Sequence, residues 1–355
     1  MPPFFALLAL YALIFVLHLI VPGRWVKGYV RDGSGEPLRY RLNGPRVLAI
    51  TLGLYALAGL LGLAPWDYLY IHRWTALAAA CAAGLVFTAA IVLPAAPRGG
   101  LLADLFFGRL ENPRLGGGHV DAKMFLYVLG AVMLALNLLS FAAHHIILFP
   151  ADPSPGVVLH VALFGFFLCE YLHFEEVHLY TYDLFAERVG FKLGWGCLTF
   201  YPFFYAVGLW GVAELPNPHR SGAWLVGCAA LFFLGWTLAR GANLQKFYFK
   251  TRPTRPAFGL IVPEALEHGG QRVLVNGFWG LSRHINYLGE IVMAVALALS
   301  LGHPTSIWPW LYPLYYVALL VPRQLDDDRR CAAKYGPLWD LYRRRVPWRI
   351  IPGIY

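Results

Sequence analysis

The sequence predicts an all-α membrane protein, a polytopic transmembrane helical bundle of about 9–10 spans. Only 14% of its residues are charged, whereas 58% are hydrophobic and 16% are aromatic. A soluble protein typically carries about 25% charged residues. Several runs, among them 4–21 and 74–93, reach the roughly 18 apolar residues that are needed to cross a bilayer.

The apolar segments follow one another along the whole chain. The first has no basic region before it and no small-residue cleavage site after it, so we expect a retained helix and not a signal peptide. A tenth, partly inserted segment fits within 321–355. The main spans are predicted at 3–22, 46–64, 73–94, 123–149, 156–180, 193–213, 222–243, 284–302 and 307–322.

The basic residues, which give the chain a net charge of +9, indicate its orientation. Lys and Arg concentrate in alternate loops, and the positive-inside rule assigns such loops to the cytoplasm. The same rule explains the positive charge without a nucleic-acid partner. We therefore expect an outside N-terminus and a cytoplasmic C-terminus. The predicted cytoplasmic loops are 23–45, 95–122, 181–192, 244–283 and 323–355.

Polar residues crowd the membrane ends of the C-terminal spans. Lys246 and Lys250 are four residues apart, so they share one face of a helix and can bind phosphate or anchor the span. Asn286 lies near the start of an apolar span, where polar residues are costly and are functional by default. Trp279 and Tyr287 can be interfacial aromatics or can stack on a flat ring.

A helix would align Arg323, Asp327 and Cys331, which are spaced four residues apart. Basic and aromatic residues alternate from there to 349, and Arg binds phosphate oxygens in a bidentate fork. The glycine-rich fingerprint of a Rossmann domain is absent from the sequence, so a dinucleotide site would have to be built in another way.

Five ordered motifs resemble the sterol reductase family, which includes sterol C14-reductases, 7-dehydrocholesterol reductases, sterol C24(28)-reductases and the lamin B receptor C-terminal domain. The motifs are FFGRLENPR at 106–114, GWGCLTFYPFFY at 194–205, ANLQKFYFK at 242–250, GFWGLSRHINYLGE at 277–290 and the segment 323–355. The resemblance covers about residues 20–355. It implies reduction of a ring carbon–carbon double bond in a sterol that enters from the bilayer.

The same resemblance implies that NADPH binds in a cytoplasm-facing pocket at about 243–342. We accordingly expect one integral membrane domain over 1–355, with N-terminal spans in 1–155 and a catalytic half in 156–355. Lys250 stands where many family members have Arg, which keeps the charge and loses the bidentate fork. Carried over by motif, the cofactor contacts are Lys246, Lys250, Trp279, Asn286, Tyr287, Arg323, Asp327, Cys331, Lys334, Tyr335 and Tyr342.

The fifth predicted span, 156–180, contains acidic residues that the family resemblance implies are catalytic. Glu170, Glu175 and Glu176 match an acidic position and a Glu-Glu pair of the family, and they suit proton delivery or substrate anchoring. A span that ends early would instead leave the last two in interfacial water. Many family members place a Tyr shortly before the Glu170 position, whereas here the nearest phenol in sequence is Tyr171.

The expected catalytic residues are Asp327, Glu170 and Glu176, and no metal is expected. The proton donor must stay protonated near pH 7, and burial raises a carboxyl pKa in that direction. By resemblance, the 106–114 motif favours Δ14 reduction, whereas "GFWG" and "PGIY" favour Δ7 reduction. We predict Δ14 reduction.

Other functions remain open at this point. His144, His145, His173 and His178 could ligate a di-iron centre, although their positions along the spans separate them. The C-terminal half also has a pattern similar to that of membrane methyltransferases of the isoprenylcysteine type. A non-catalytic sterol-binding protein is the last alternative.

Overall fold

The computed structural model describes residues 2–355. The chain divides into two compact units, Met1–Asn217 and Pro218–Tyr355. The boundary lies in a loop with Pro216 and Pro218, shortly before the helix that begins at Gly222.

Apolar helices dominate the described residues and confirm the predicted helical membrane fold. Two of the helices are too short to meet the usual length for a span, namely Gly44–Leu60 and Ile285–Ser300. In residues 2–355, five helices are long and apolar enough to cross a membrane: Pro3–Ile20, Arg73–Val92, Ala122–Leu148, Pro155–His173 and Gly222–Thr251.

Several helix ends differ from the prediction. The predicted span 156–180 ends at His173, and one separate turn, Glu175–His178, follows. Two helices continue past their predicted ends because polar residues extend them beyond the apolar part. These are Gly222–Thr251 and Trp308–Tyr335. The remaining short helices are Tyr68–Ile71, Leu101–Phe107, Tyr182–Phe185, Phe278–Leu281 and Pro337–Arg345.

The predicted span 193–213 is broken into short pieces around a π-helical turn. Pro202 lacks a backbone N–H, so it cannot continue a regular helix from the preceding turn. The Nδ2 of Asn137 donates to the carbonyl oxygen of Pro202 at 2.9 Å. The pieces are Phe191–Trp195, the π turn Gly196–Phe200, Tyr201–Phe204 and Val207–Val212.

Small antiparallel hairpins, which an all-α prediction omits, lie in three of the loops that are predicted to be cytoplasmic. Within the part of the chain that the structure describes, every strand belongs to a two-stranded sheet, and no Rossmann-type parallel sheet is present. The hairpins pair Arg24–Arg31 with Pro37–Leu42, Arg114–Leu115 with Val120–Asp121, and Ala265–His268 with Gln271–Leu274.

The core of the first unit is the helix Ala122–Leu148, which is buried over most of its length. Its first turn is capped by Asp121, whose side chain accepts from the backbone N–H groups of Lys123 and Met124 at 3.1 Å. Lys123 is fully buried, and its Nζ donates to the carbonyl oxygen of Leu184 at 2.8 Å.

Candidate functional site

The second unit is organised around two helices that approach each other through glycines. A Cβ on Gly289 would lie 2.4 Å from the backbone nitrogen of Ala239 and 2.5 Å from the carbonyl oxygen of Gly235. Small residues allow such close backbone contact between helices in membranes. The contact brings the end of Gly222–Thr251 beside the start of Ile285–Ser300, where the predicted cofactor residues lie.

The two helix ends are joined by an amide pair. The Nδ2 of Asn286 donates to the Oδ1 of Asn243 at 3.3 Å. The Oδ1 of Asn286 is buried and has no hydrogen-bond partner among the described residues. A buried acceptor of this kind is rare in native proteins and suits a ligand that donates a hydrogen bond.

A buried glutamine fixes the turn before Trp279. The Nε2 of Gln245 donates to the carbonyl oxygen of Asn276 at 3.0 Å, and its Oε1 accepts from the N–H of Phe278 at 3.0 Å. Gly277 has a φ of 61°, and a Cβ there would meet the Gln245 amide at 2.4 Å. Gln245 belongs to the 242–250 motif but was not among the predicted site residues, although an uncharged polar residue next to Lys246 at the end of an apolar span was a signal for it.

Trp279 is held with its ring beside a cation. Its Nε1 donates to the carbonyl oxygen of Ala242 at 2.8 Å, and the Nζ of Lys246 lies 5.1 Å from the ring centroid. This distance is within the range of a cation–π contact. The hydroxyl of Tyr342 donates to the Trp279 carbonyl oxygen at 2.9 Å. Tyr342 is buried, so it supports Trp279 from behind.

Three consecutive carboxylates have three different partners. Asp326 pairs with Arg330, one helical turn later, at 2.9 Å on the exposed face. The Oδ2 of Asp327 accepts from the hydroxyl of Tyr287 at 2.6 Å. Asp328 accepts at its Oδ1 from the Nη1 of Arg283 at 2.6 Å, and it also binds the indole of Trp339. Asp327 is thus the carboxylate that contacts Tyr287, one of the predicted cofactor residues.

Burial raises the pKa of Asp327 above its ordinary value, although the Tyr287 hydroxyl and the positive charges of Lys246 and Arg323 act in the opposite direction. A carboxyl with a raised pKa that also contacts a phenol is suited to hold and transfer a proton. His284 differs. Burial and three nearby cations lower its pKa to about 3, so its imidazole is neutral at physiological pH.

Lysine ammonium groups converge next to the Asp327 carboxylate. Lys246 and Lys334 both lie close enough to Lys250 to repel its positive charge. Cys331 lies within electrostatic range of Lys246, Lys334 and Asp327, and burial raises the pKa of its thiol. Like charges brought together in this way suit an anionic group such as a phosphate.

The end of the unit packs as an aromatic cluster. Tyr335 stacks on Trp339 with ring centroids 6.2 Å apart, and the Lys334 Nζ lies 5.0 Å from the Tyr335 ring centroid. Val346 and Tyr342 complete the buried side of this cluster. All the residues predicted to contact the cofactor thus belong to the second unit.

The predicted catalytic glutamates belong to the first unit. Glu170 lies in the helix Pro155–His173 and is nearly buried. Glu176 lies in the turn Glu175–His178 and forms an ion pair with Arg24. Glu175 is buried and accepts from the N–H of Gly44 at 3.1 Å. Burial raises the pKa of Glu175 to about 8, against the hydrogen bond from Gly44, which lowers it.

Tyr171, the nearest phenol to Glu170 in the sequence, belongs to an aromatic cluster. Its ring packs against His178 with 4.1 Å between centroids and the ring planes tilted by 39°, and it meets Tyr127 edge-on at 6.3 Å. The Nε2 of His178 contacts the Tyr171 carbonyl oxygen at 2.9 Å. These contacts hold the turn that follows the helix Pro155–His173.

The 106–114 motif has a structural role in the first unit. Arg109 is buried, pairs with Asp104 at 2.7 Å and donates to the carbonyl oxygens of Val92 and Ala95 at 3.1 and 2.7 Å. It therefore satisfies backbone acceptors at the end of the helix Arg73–Val92. Gly108 has a φ of 89°, and a Cβ there would lie 2.4 Å from the Val189 backbone.

Replacing Gly108 by Ala is expected to lower the free energy of unfolding by about 3 kcal/mol, because backbone strain and backbone overlap each cost about 1–3 kcal/mol. Thermal unfolding of purified protein in detergent measures the change. Gly99→Ala is the matched control, since its Cβ would have only one neighbour, at 3.9 Å. Equal melting temperatures for the two variants would contradict the structural role of Gly108.

The histidines proposed for a di-iron centre have protein partners. The Nδ1 of His145 contacts the Ala213 carbonyl oxygen at 3.0 Å, and its Nε2 accepts from the N–H of Ser154 at 3.0 Å. The Nδ1 of His144 bonds to Asp67 at 2.9 Å. Among residues 2–355, no group of three or more His, Cys, Asp or Glu side chains is arranged to hold a metal ion.

Comparison with known proteins identifies similar sequences over the full length. The model of the family described as "Ergosterol biosynthesis ERG4/ERG24 family" matches residues 3–355. A Delta(14)-sterol reductase from Mus musculus is 34% identical over 352 residues, which cover 95% of this chain and 82% of the mouse protein. One from Methylotuvimicrobium alcaliphilum is 31% identical, covering 100% and 84%. One from Arabidopsis thaliana is 30% identical, covering 99% and 97%.

Proposed function

Because this chain belongs to the ergosterol biosynthesis ERG4/ERG24 family of sterol reductases, we propose that it reduces the Δ14 double bond of a sterol with NADPH as reductant. The relatives named above are Delta(14)-sterol reductases, which favours Δ14 over Δ7 and favours a reductase over a methyltransferase or a non-catalytic sterol-binding protein. The enzyme is an integral membrane oxidoreductase, and its sterol substrate would enter from the bilayer.

The observation that carries this proposal is the Tyr287–Asp327 pair beside Lys246 and Trp279. A hydroxyl and a partly buried carboxyl, 2.6 Å apart, can supply a proton to one carbon of a double bond. This pair would provide the acid in a chain that lacks the Tyr which many family members place shortly before the Glu170 position. Glu170 and Glu176 are proposed as a second proton path or as substrate anchors.

The residues present fit a phosphorylated nicotinamide dinucleotide. The buried, unpartnered Oδ1 of Asn286 can accept a hydrogen bond from the ligand. The ammonium groups of Lys246, Lys250 and Lys334 suit phosphates, and the ring of Trp279 offers a stacking surface. When bound, the reduced nicotinamide supplies a hydride to the carbon that does not receive the proton. The remaining proposed contacts are Tyr287, Arg323, Asp327, Cys331, Tyr335 and Tyr342.

The proposed cofactor site opens to the cytoplasm. Its residues flank the loop 244–283 and the segment 323–355, both rich in Lys and Arg, and the positive-inside rule supports a cytoplasmic location for such segments. The proposed catalytic half is 156–355, the range that contains Glu170, Glu176 and all the proposed cofactor contacts.

The proposed reduction is tested by measuring turnover of a panel of sterols. Purified protein in detergent is incubated with NADPH and with Δ14, Δ7 and Δ24 sterols, and the products are analysed by mass spectrometry. We expect the Δ14 sterol to gain two hydrogens, one of them deuterium when deuterated NADPH is the donor. Reduction of the Δ7 sterol alone would reject the proposed position of the bond, and reduction with NADH but not NADPH would reject the proposed cofactor.

A further inference from the structure

The second unit contains an open cavity that the proposed reaction does not use. It has a volume of about 340 Å³ and is lined by Arg283, Asp340, Arg343 and Arg344. None of these side chains is among the proposed cofactor contacts. Arg343 and Arg344 lie in the last turn of the helix Pro337–Arg345, whose opposite face buries Leu338, Trp339 and Tyr342.

The lining has an excess of positive charge. It contains three guanidinium groups and one carboxylate, and that carboxylate, on Asp340, lies 3.7 Å from Arg343. Arg349 also lies close enough to repel Arg283. Guanidinium groups that converge on one space with too few carboxylates bind phosphate in a bidentate manner.

Arg283 distinguishes this cavity from a patch of mobile surface charge, because its side chain is buried and held in place. The residue is only 5% exposed, and its Nη1 is fixed by Asp328 at 2.6 Å. Its Nη2 donates to the carbonyl oxygen of Pro347 at 3.3 Å, and its backbone N–H donates to the carbonyl oxygen of Trp348 at 3.0 Å. The Nε of Arg283 is buried without a hydrogen-bond partner among the described residues. A buried donor left unsatisfied is costly, and an anion in the cavity would offset that cost.

The position of the cavity along the chain points to the source of the anion. Arg283 precedes the apolar helix Ile285–Ser300 by two residues. The sequence predicts a membrane span at 284–302, which would place Arg283 near the membrane interface. Beside it lies a short amphipathic helix with Arg on its exposed face, an arrangement that attracts anionic lipids. We propose that this cavity binds a phosphate group and that an anionic phospholipid headgroup supplies it.

Retention of phosphatidylglycerol by the detergent-purified protein tests this proposal. Native mass spectrometry measures lipid bound after incubation with phosphatidylglycerol or with phosphatidylcholine. We expect preferential binding of phosphatidylglycerol, and about a thirtyfold loss of its affinity in the double variant Arg343→Gln/Arg344→Gln, since two basic contacts at an anionic surface are removed. Arg343→Lys/Arg344→Lys keeps the charges without the fork, and its affinity should lie between those of wild type and the Gln variant.

The matched control is Arg329→Gln/Arg345→Gln, which removes two exposed arginines outside the cavity lining. This control should bind phosphatidylglycerol like the wild type, and NADPH affinity should be the same in all variants. Equal lipid loss in the control and the cavity variant would overturn the proposal, because it would show attraction to net charge only. Displacement of the lipid by inorganic phosphate at cellular concentration, or a weaker NADPH affinity in the cavity variant, would assign the cavity to a soluble phosphate and overturn the lipid source.

Discussion

Replacing Asp327 by Asn is expected to lower kcat for the Δ14 sterol by about 10²- to 10⁴-fold, the range that a positioned acid or base contributes. The amide keeps the size of the side chain and can still accept from the Tyr287 hydroxyl, so the fold should be retained. What it loses is the exchangeable carboxyl proton. NADPH affinity, followed by tryptophan fluorescence, should change much less than kcat.

The adjacent carboxylate provides a matched control. Asp326→Asn removes the same charge from the same helix, but its side chain is about half exposed and pairs with Arg330. An exposed ion pair contributes little to the free energy of unfolding. Turnover of this variant should therefore stay within about twofold of wild type. If Asp327→Asn lost NADPH binding in proportion to its turnover, Asp327 would act through cofactor binding alone and not as the proton donor.

The pH dependence of the reaction follows from the same residue. Because burial raises the pKa of Asp327, the protonated carboxyl persists to a higher pH than in an exposed Asp. Its protonated fraction falls as the pH rises through that pKa, so kcat of the wild type should fall with it. The Asn variant should lack this descending limb. An identical pH profile in both proteins would place the titrating acid elsewhere.

Replacing Gly289 by Ala is expected to lower turnover about 100-fold, the effect of displacing reacting groups by about 1 Å. The added methyl group would lie 2.4 Å from the Ala239 nitrogen and 2.5 Å from the Gly235 oxygen, and both are backbone atoms that cannot rotate away. The two helices must therefore separate, and Tyr287 and Asn286 move with the helix that carries them. NADPH affinity should fall in the same variant.

Gly227→Ala is the control for this substitution. It lies in the helix Gly222–Thr251, and no atom outside that helix's own backbone lies within 4 Å of its added Cβ. Alanine is a better helix former than glycine by about 1 kcal/mol, so the control should be at least as stable as the wild type. Wild-type turnover and NADPH affinity in Gly289→Ala would contradict the glycine contact as the element that positions the site.

The membrane fold could be predicted from the sequence because span formation depends on summed hydropathy over about 20 residues. The break at 196–200 could not, since it depends on Pro202 and on a hydrogen bond from Asn137, a residue far away in the sequence. The end of a helix at His173 likewise depends on the tertiary burial of Glu175 against Gly44.

The predicted cofactor residues lie in one unit, and helical spacing explains part of that result. Arg323, Asp327 and Cys331 share a face of Trp308–Tyr335, as their spacing of four residues indicates. Spacing could not distinguish the partners of three adjacent carboxylates, because those partners come from other segments. It also could not show that Tyr342 is buried behind Trp279, although both residues carry a similar aromatic signal.

The distribution of Asp326, Asp327 and Asp328 has a consequence for how this segment can vary. Successive residues of a helix are rotated by about 100°, so a single inserted or deleted residue would turn each carboxylate towards its neighbour's partner. Because all three positions are Asp, a neighbouring carboxylate would then take the place beside Tyr287, and the composition would be nearly unchanged. The proton-donating position would therefore keep a carboxyl after a one-residue shift of register, whereas a single substitution of Asp327 removes it.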